Sequence, residues 1–449
     1  MLPDVALLEI FDFYVWNTHK IQAWHRLLHV CRKWRNVVFG SPLRLNLRLY
    51  CRANTPVRQT LDVWPLLPIV VKIFSTESWE EGNIVAVLEH NNRICHLVIY
   101  EIPSSETEKA LTPLQQPFPA LKFLSITFRA EKVPVFPASF LGGFTPALQG
   151  LFLECVSFPG LPRLLLSAAH LDTLHLHKIP HSGYISPEAM VAALSVLTRL
   201  EGFQIGFESP QSRPDRRTRR LPPQTRTLLP ALTNFRFKGV GEYLEDFVAR
   251  IDAPLLEKLT VIFFHQLIFG SPRFTQFISR TPAFKAHNEA RVEFSSLDVM
   301  VTLPQKLGGF LELGSSCKQS DWQLSSLAQV CSSPLTRALV PTVENLYIRS
   351  GYRRPDWQDD IESSQWLELF QPFAATKELY ISSEFTPRIA PALKELVGDG
   401  VIQVLPALQT LFFEEPFPPR PIQEAIEQFV AARQLAGHSI VMSRWKKRR

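Results

Sequence analysis

The chain has 449 residues, 46% of them hydrophobic and 20% charged, which describes a folded globular protein long enough for two or three domains and excludes intrinsic disorder. A net charge of +6 and a pI near 9.0 are modest for this size, so nucleic acid is not implied as a partner. No apolar run reaches membrane-spanning length, and the start of the chain lacks the basic head and small-residue cleavage site of a signal peptide. Cysteines stand singly at 31, 51, 95, 155, 317 and 331, with no CxxC pair and no Asn-x-Ser/Thr acceptor. Reduced thiols in the cytosol or nucleus are the expectation.

The first forty residues carry the strongest local signal. From Val5 to Val15 the apolar side chains Val5, Leu7, Leu8, Ile10, Phe11, Phe13, Tyr14 and Val15 cover nearly the whole circumference of a helix. Such a helix needs cover on two sides. Ile21, Trp24, Leu28 and Cys31, at helical spacing, supply one covering face, and the run to Val38 supplies part of another. A unit this small cannot bury so much alone, so the rest of the chain or another protein must contribute.

Leu2-Pro3, then Leu7-Leu8-Glu9-Ile10-Phe11, then Val30-Cys31-Arg32-Lys33-Trp34-Arg35 resemble the F-box, a three-helix module that docks on the Skp-type adaptor of cullin-RING ubiquitin ligases. The match covers residues 2 to about 42. It departs from the usual pattern in Asp4-Val5-Ala6 and in a longer aromatic link, Phe13 to Asn17. The resemblance implies Leu2, Pro3, Leu8, Phe11, Leu27, Val30 and Trp34 as adaptor-binding anchors, with a cullin reached through the adaptor.

Beyond this module a short phrase recurs: an apolar residue, two others, an apolar residue, one other, an apolar residue. It appears at Ile94-x-x-Leu97-x-Ile99 and again beginning at Leu121, Leu148, Leu171, Leu200, Leu232, Leu256, Val343 and Leu408. Weaker copies lie at Val292-x-Phe294, Leu311-x-Leu313 and Leu379-x-Ile381. In a strand the last two apolar positions point inward together and the residue between them points outward. Helical patterns separate several copies. Ser186 caps one with Pro187 in its first turn, and Tyr243, Leu244, Phe247, Val248 and Ile251 form another. Strand then helix, repeated at irregular and long intervals, predicts an α/β fold: a short all-α module followed by a curved leucine-rich-repeat-like solenoid, parallel strands on one side and helices on the other.

Domain limits follow at residues 1–42, 43–420 and 421–449. Two insertions interrupt the array. The first, 208–227, is arginine- and proline-rich; the second, 353–372, places Asp356, Asp359, Asp360 and Glu362 beside Trp357 and Trp366 and leads into a short helix whose Trp366, Leu367 and Phe370 pack inward. At the end, Pro421 opens a helix that Gly437 closes, and a last strand over Ser439 to Met442 precedes the basic tail RWKKRR, a nuclear import signal or a plain terminus. The stretches DWQLSSLAQVC, WLELFQPF and FVAARQLAG resemble the C-terminal arrays of the expanded fungal F-box families.

Catalytic signatures are missing from the sequence: there is no G-x-S-x-G, no glycine-rich phosphate loop and no H-E-x-x-H. His170, His175, His177 and His181 cluster, but His175 and His177 take outward positions around the inward Leu176, with no cysteine or carboxylate at ligand spacing. No metal and no cofactor is therefore expected, and no enzyme activity. Instead the outward positions, Phe152, His175, Arg236, Tyr347, Tyr380 and Phe412 among them, mix aromatic rings with arginine as protein-binding surfaces do. A non-catalytic substrate receptor for a protein target is the leading expectation. A protein-binding scaffold outside any ligase is the alternative.

Overall fold

The computed structural model describes every residue except 1, 18–22, 41–46, 52–55, 65, 75–82, 103, 129–132, 215–224, 265–270, 286, 306–307, 318–321, 335, 352–356, 358–361, 397–399, 416–418 and 447–449. Most of the first insertion, the acidic residues Asp356, Asp359 and Asp360 of the second, and the last three residues of the tail therefore lie outside the described residues. Three helices come first: α1 (Asp4–Asn17), α2 (Ala23–Leu28) and α3 (Arg32–Gly40).

Among the described residues the chain divides into two compact units, residues 1–185 with 192–202 and residues 186–191 with 203–449. In the first unit, β1 (Leu47–Cys51), β2 (Ile69–Phe74), β3 (Ile94–Ile102), β4 (Phe123–Phe128), β5 (Gly150–Glu154) and β6 (Thr173–Ile179) pair in sequence order, all parallel. The repeated phrase sets their register. Leu49, Val71, Leu97, Leu124, Leu151 and Leu174 face one another across successive strands in one column, and Cys51, Ile73, Ile99, Ile126, Leu153 and Leu176 in the next, all buried. A one-residue slip would turn every one of them to the other face, which pins the register.

The second unit holds β7 (Gly202–Phe207; Gly202 itself falls in the first), a small pair of β8 (Thr227–Leu228) with β10 (Ile251–Asp252), and β9 (Asn234–Gly239), β11 (Lys258–Phe264), β12 (Glu289–Phe294), β13 (Asp298–Pro304), β14 (Phe310–Ser316), β15 (Asn345–Ser350), β16 (Glu378–Ile381), β17 (Thr410–Glu414) and β18 (Val441–Trp445). Here strand order departs from chain order. β14 pairs parallel with β11, β13 runs antiparallel between β14 and β12, and β12 pairs parallel with β15. The weak phrases at Val292, Leu311 and Leu379 are ladder strands all the same. An inward column runs Phe237, Val261, Leu313, Val301, Val292, Ile348, Ile381 and Phe413 through the reversed strand without a break.

Two predicted boundaries move. The helix expected to include Ile251 spans Gly241–Val248, because Ile251 pairs with Thr227 in the short β10–β8 ladder. The final strand lies at Val441–Trp445 rather than 439–442, its register set by pairing Val441 with Thr410. Other readings hold: the Ser186 hydroxyl accepts the Ala189 N–H at 3.2 Å to cap helix Pro187–Leu194. Helix Ser363–Phe370 buries Trp366, Leu369 and Phe370, with Leu367 only half covered. Helix Arg420–Leu435 closes at Gly437, whose φ of +84° suits a residue without a Cβ.

Candidate protein-interaction surfaces

The N-terminal helices make a core of their own from Leu7, Phe11, Leu27, Val37 and Val38, with Leu8, Tyr14, Leu28 and Trp34 packed against it. The Phe11 and Trp34 rings meet at 4.7 Å, tilted by 59°. Polar ties fix the helices in place. The Lys33 ammonium donates to the Leu2 carbonyl at 2.7 Å and pairs with Asp4 at 3.3 Å, the Arg35 guanidinium donates to the Leu28 carbonyl at 3.1 Å, and the Trp34 N–H reaches the Cys31 sulfur at the start of α3.

This arrangement corrects part of the anchor set. Phe11 and Leu27 are 2% and 4% exposed, because α1 turns its Leu7 and Phe11 face into the bundle, so neither is available to a partner. Leu8 and Trp34 are half-buried, whereas Leu2, Pro3 and Val30 are exposed. The opposite face of α1 is apolar too: Val5 and Phe13, two turns apart, are 68% and 72% exposed, with Ile10 beside them. These three carry the open apolar surface of the helix, and none of them is among the anchors that the resemblance implied. Among the described residues, one side of the helix packs in the bundle and the other leaves apolar side chains open beside the exposed Glu9 and Asp12.

On the strands, five of the six residues predicted to point outward, all but Arg236, fall into two ladders. In the first unit Phe152 and His175 are register partners with ring centroids 4.4 Å apart. The row extends the other way through Phe123, 5.1 Å from Phe152, to His96, which stacks on Phe123 at 5.7 Å. Gly150 makes room for this contact: a Cβ there would lie 2.7 Å from the Phe123 ring. His96 and Phe123 were missed because they stand one outward step before the centre of the phrase. Burial, then the charges of Lys122, Arg48 and Lys72, hold the His96 imidazole down to about 4, so it is neutral at physiological pH.

In the second unit Tyr347, Tyr380 and Phe412 stack in register at 4.2 and 4.3 Å, nearly parallel. Trp445 closes on them edge-first at 5.7 Å from Tyr380, its indole N–H donating to the Ile381 carbonyl at 3.3 Å. It was missed because the strand was expected to stop short of it. The Tyr380 hydroxyl donates to Glu378 at 2.7 Å. Carboxylate–cation pairs flank the stack, Arg291 with Glu289 at 2.5 Å and Arg349 with Glu293. Arg236 is exposed on the same face but away from these rings, and its register partner Thr260 is buried, donating to Glu312 at 2.9 Å. Ile262 and Phe264 are buried as well, so the outward side of β11 is not an open surface.

The four clustered histidines have separate occupations. His170 lies 3.5 Å from Arg199, His175 packs on Phe152, His177 approaches Glu154 at 3.5 Å, and His181 is exposed. Among the described residues no three His, Cys, Asp or Glu side chains converge as a metal site would require. The six cysteines are unbridged, and burial pushes the thiols of Cys51 and Cys331 up to about 12 and that of Cys95 to about 11, which makes them poor nucleophiles. No helix among the described residues is long and apolar enough to cross a membrane.

No family model matches this chain, and no curated protein matches it. Among solved structures, the chain is similar to the leucine-rich repeat-containing protein LegL7 from Legionella pneumophila, at 10% identity and a TM-score of 0.30, over 86% of this chain and 97% of that one.

Proposed function

We propose that this protein is a non-catalytic substrate receptor of a cullin-RING ubiquitin ligase, its N-terminal helices docking on a Skp-type adaptor and its strand–helix array holding a protein target. One observation supports this reading above the others: the three-helix bundle has a closed core of its own and still exposes Leu2, Val5, Ile10, Phe13 and Val30. A helix that only capped the next domain would have no reason to leave these in water. Burying each large side chain against a partner is worth roughly 1.5 to 3 kcal/mol, so a few sustain a complex after the costs of association. Ubiquitin transfer is assigned to the other subunits, and the compartment is the cytosol or nucleus, where such ligases work.

The test is co-purification with the adaptor. Val5→Asp combined with Phe13→Asp should reduce capture by about a hundredfold or more, roughly the contribution of two buried apolar anchors, while the circular dichroism spectrum stays that of the parent. Adaptor capture indifferent to this change would reject docking through the open face of α1, and no adaptor capture by the parent would reject the ligase assignment. Retained target binding without any adaptor capture would leave a scaffold acting outside a ligase.

A further inference from the structure

On the first unit, the face opposite the inward columns is built without acids over four strands. The alternating outward positions of β1 to β4 place Arg48 and Lys72 beside aromatic residues such as Tyr50, His96 and Phe123, and none is a carboxylate. Lys122, exposed, immediately precedes Phe123 at the start of β4. Among the described residues of the adjoining strands, acids stand at Glu101, in the bulge that ends β3, and at Glu154 on β5, which pairs with Lys178 at 2.8 Å. The register places Arg48 in the cross-strand row of His96, two strands away, with Lys72 on the strand between them and Lys122 adjoining Phe123, the register partner of His96. Like charges gathered on a partly desolvated surface repel one another, and the arrangement is relieved when an anion arrives.

The rings decide which anion. His96, Phe123 and Phe152 pack against each other across adjacent strands, the first two nearly parallel at 20° and the next pair at 39°. Rings that cover one another's faces in this way present edges outward. The edge of an aromatic ring is the positive end of its quadrupole and attracts carboxylates. Single-stranded nucleic acid needs open ring faces on which bases stack, and these are already occupied.

We infer that the outward face of β1 to β5, centred on Lys72, Lys122 and the His96–Phe123–Phe152 rings, binds an extended acidic segment of a protein partner. This inference rests on the target-holding role proposed above and names the chemical class of the target. The acidic side chains sit over the cations of β1, β2 and β4, and the apolar portions of the segment lie along the ring edges.

The experiment uses the full-length protein and a fluorescein-labelled peptide alternating glutamate with serine, read by anisotropy, with a lysine–serine peptide and labelled oligo(dT) as comparators. The glutamate peptide should bind, weaken as salt is raised, and lose at least tenfold in affinity in Lys72→Glu combined with Lys122→Glu. The same charge-reversed protein should gain binding to the lysine peptide. Replacing Arg216, Arg217, Arg219 and Arg220 by serine should change nothing, since those residues belong to the separate basic insertion. Loss of peptide binding in the serine variant with retention in the lysine-to-glutamate variant would overturn the assignment. So would tighter binding of oligo(dT) lost in the lysine-to-glutamate variant. Adaptor capture, measured on the same proteins, should be unaffected by either set of changes; it reports the N-terminal helices alone, so failure of the peptide site and failure of the ligase reading are separable.

Discussion

Arg433→Met should release the C-terminal helix Arg420–Leu435 from the unit beneath it, lowering local stability by about 3 to 5 kcal/mol. Arg433 is fully buried on that helix. Its guanidinium donates to the carbonyls of Val401 at 2.7 Å and Leu405 at 3.2 Å, with longer contacts to Val404, Pro406 and Leu408. These carbonyls end the short helix Gly400–Gln403 and the turn that leads to β17, where Leu405 sits at a φ of +52°. One planar, five-donor side chain thus satisfies acceptors that have no strand or helix partner. Methionine fills the volume but donates nothing; the Leu405 carbonyl keeps its turn bond from the Leu408 N–H, while a dry carbonyl left unpaired, as at Val401, costs roughly 1 to 3 kcal/mol. Because stability in a repeat array is shared between neighbours, the effect should concentrate at this end. Amide hydrogen exchange in helix Arg420–Leu435 should accelerate by about two to nearly four orders of magnitude, with the N-terminal strands unchanged. A uniform change along the chain would contradict the local role assigned to Arg433.

His96→Phe should flatten the acid limb of the first unit's stability profile. In the folded protein the His96 imidazole is held at about 4 against an ordinary 6.5, by burial first and then by Lys122, Arg48 and Lys72. The unfolded chain therefore takes up a proton that the folded chain refuses. Stability from this residue is fully present above pH 6.5, and falls as pH drops from 6.5 toward 4, by about 1.4 kcal/mol per unit and on the order of 3 kcal/mol in all. Phenylalanine keeps the ring against Phe123 and removes the titration. Urea midpoints of parent and variant should run parallel above pH 7 and diverge below 6.5, the parent losing more. Parallel lines down to pH 4.5 would mean that His96 protonates freely. An acidic ligand on this face should act in the opposite sense, raising the His96 value, visible by NMR as a titration midpoint moved to higher pH.

The interaction surfaces were only partly legible in sequence, and particular residues show why. Phe152 with His175, and Tyr347 with Tyr380 and Phe412, were placed on shared outward rows because strand alternation is a property of the local backbone. Trp445 and the pair His96–Phe123 needed the register of neighbouring strands to join those rows. Thr260 obeys the alternation and is nonetheless buried, since covering an outward position depends on what packs over it. Phe11 and Phe13 are alike in composition and two residues apart, yet one lies in the bundle core and the other in water. With apolar residues all round α1, periodicity carries no preference for a face, and the choice passes to the packing of α2 and α3.

What the sequence by itself determined is the repeating unit: nine copies of one apolar phrase, each a ladder strand, with helices between several of them, because a half-buried strand and an amphipathic helix write their burial into spacing. Only the tertiary structure decided the order of β11, β14, β13, β12 and β15, with β13 reversed. The inward column reads the same for a parallel and an antiparallel neighbour, so direction is set by how the connections close and which edges meet, and those are contacts between residues far apart in the chain.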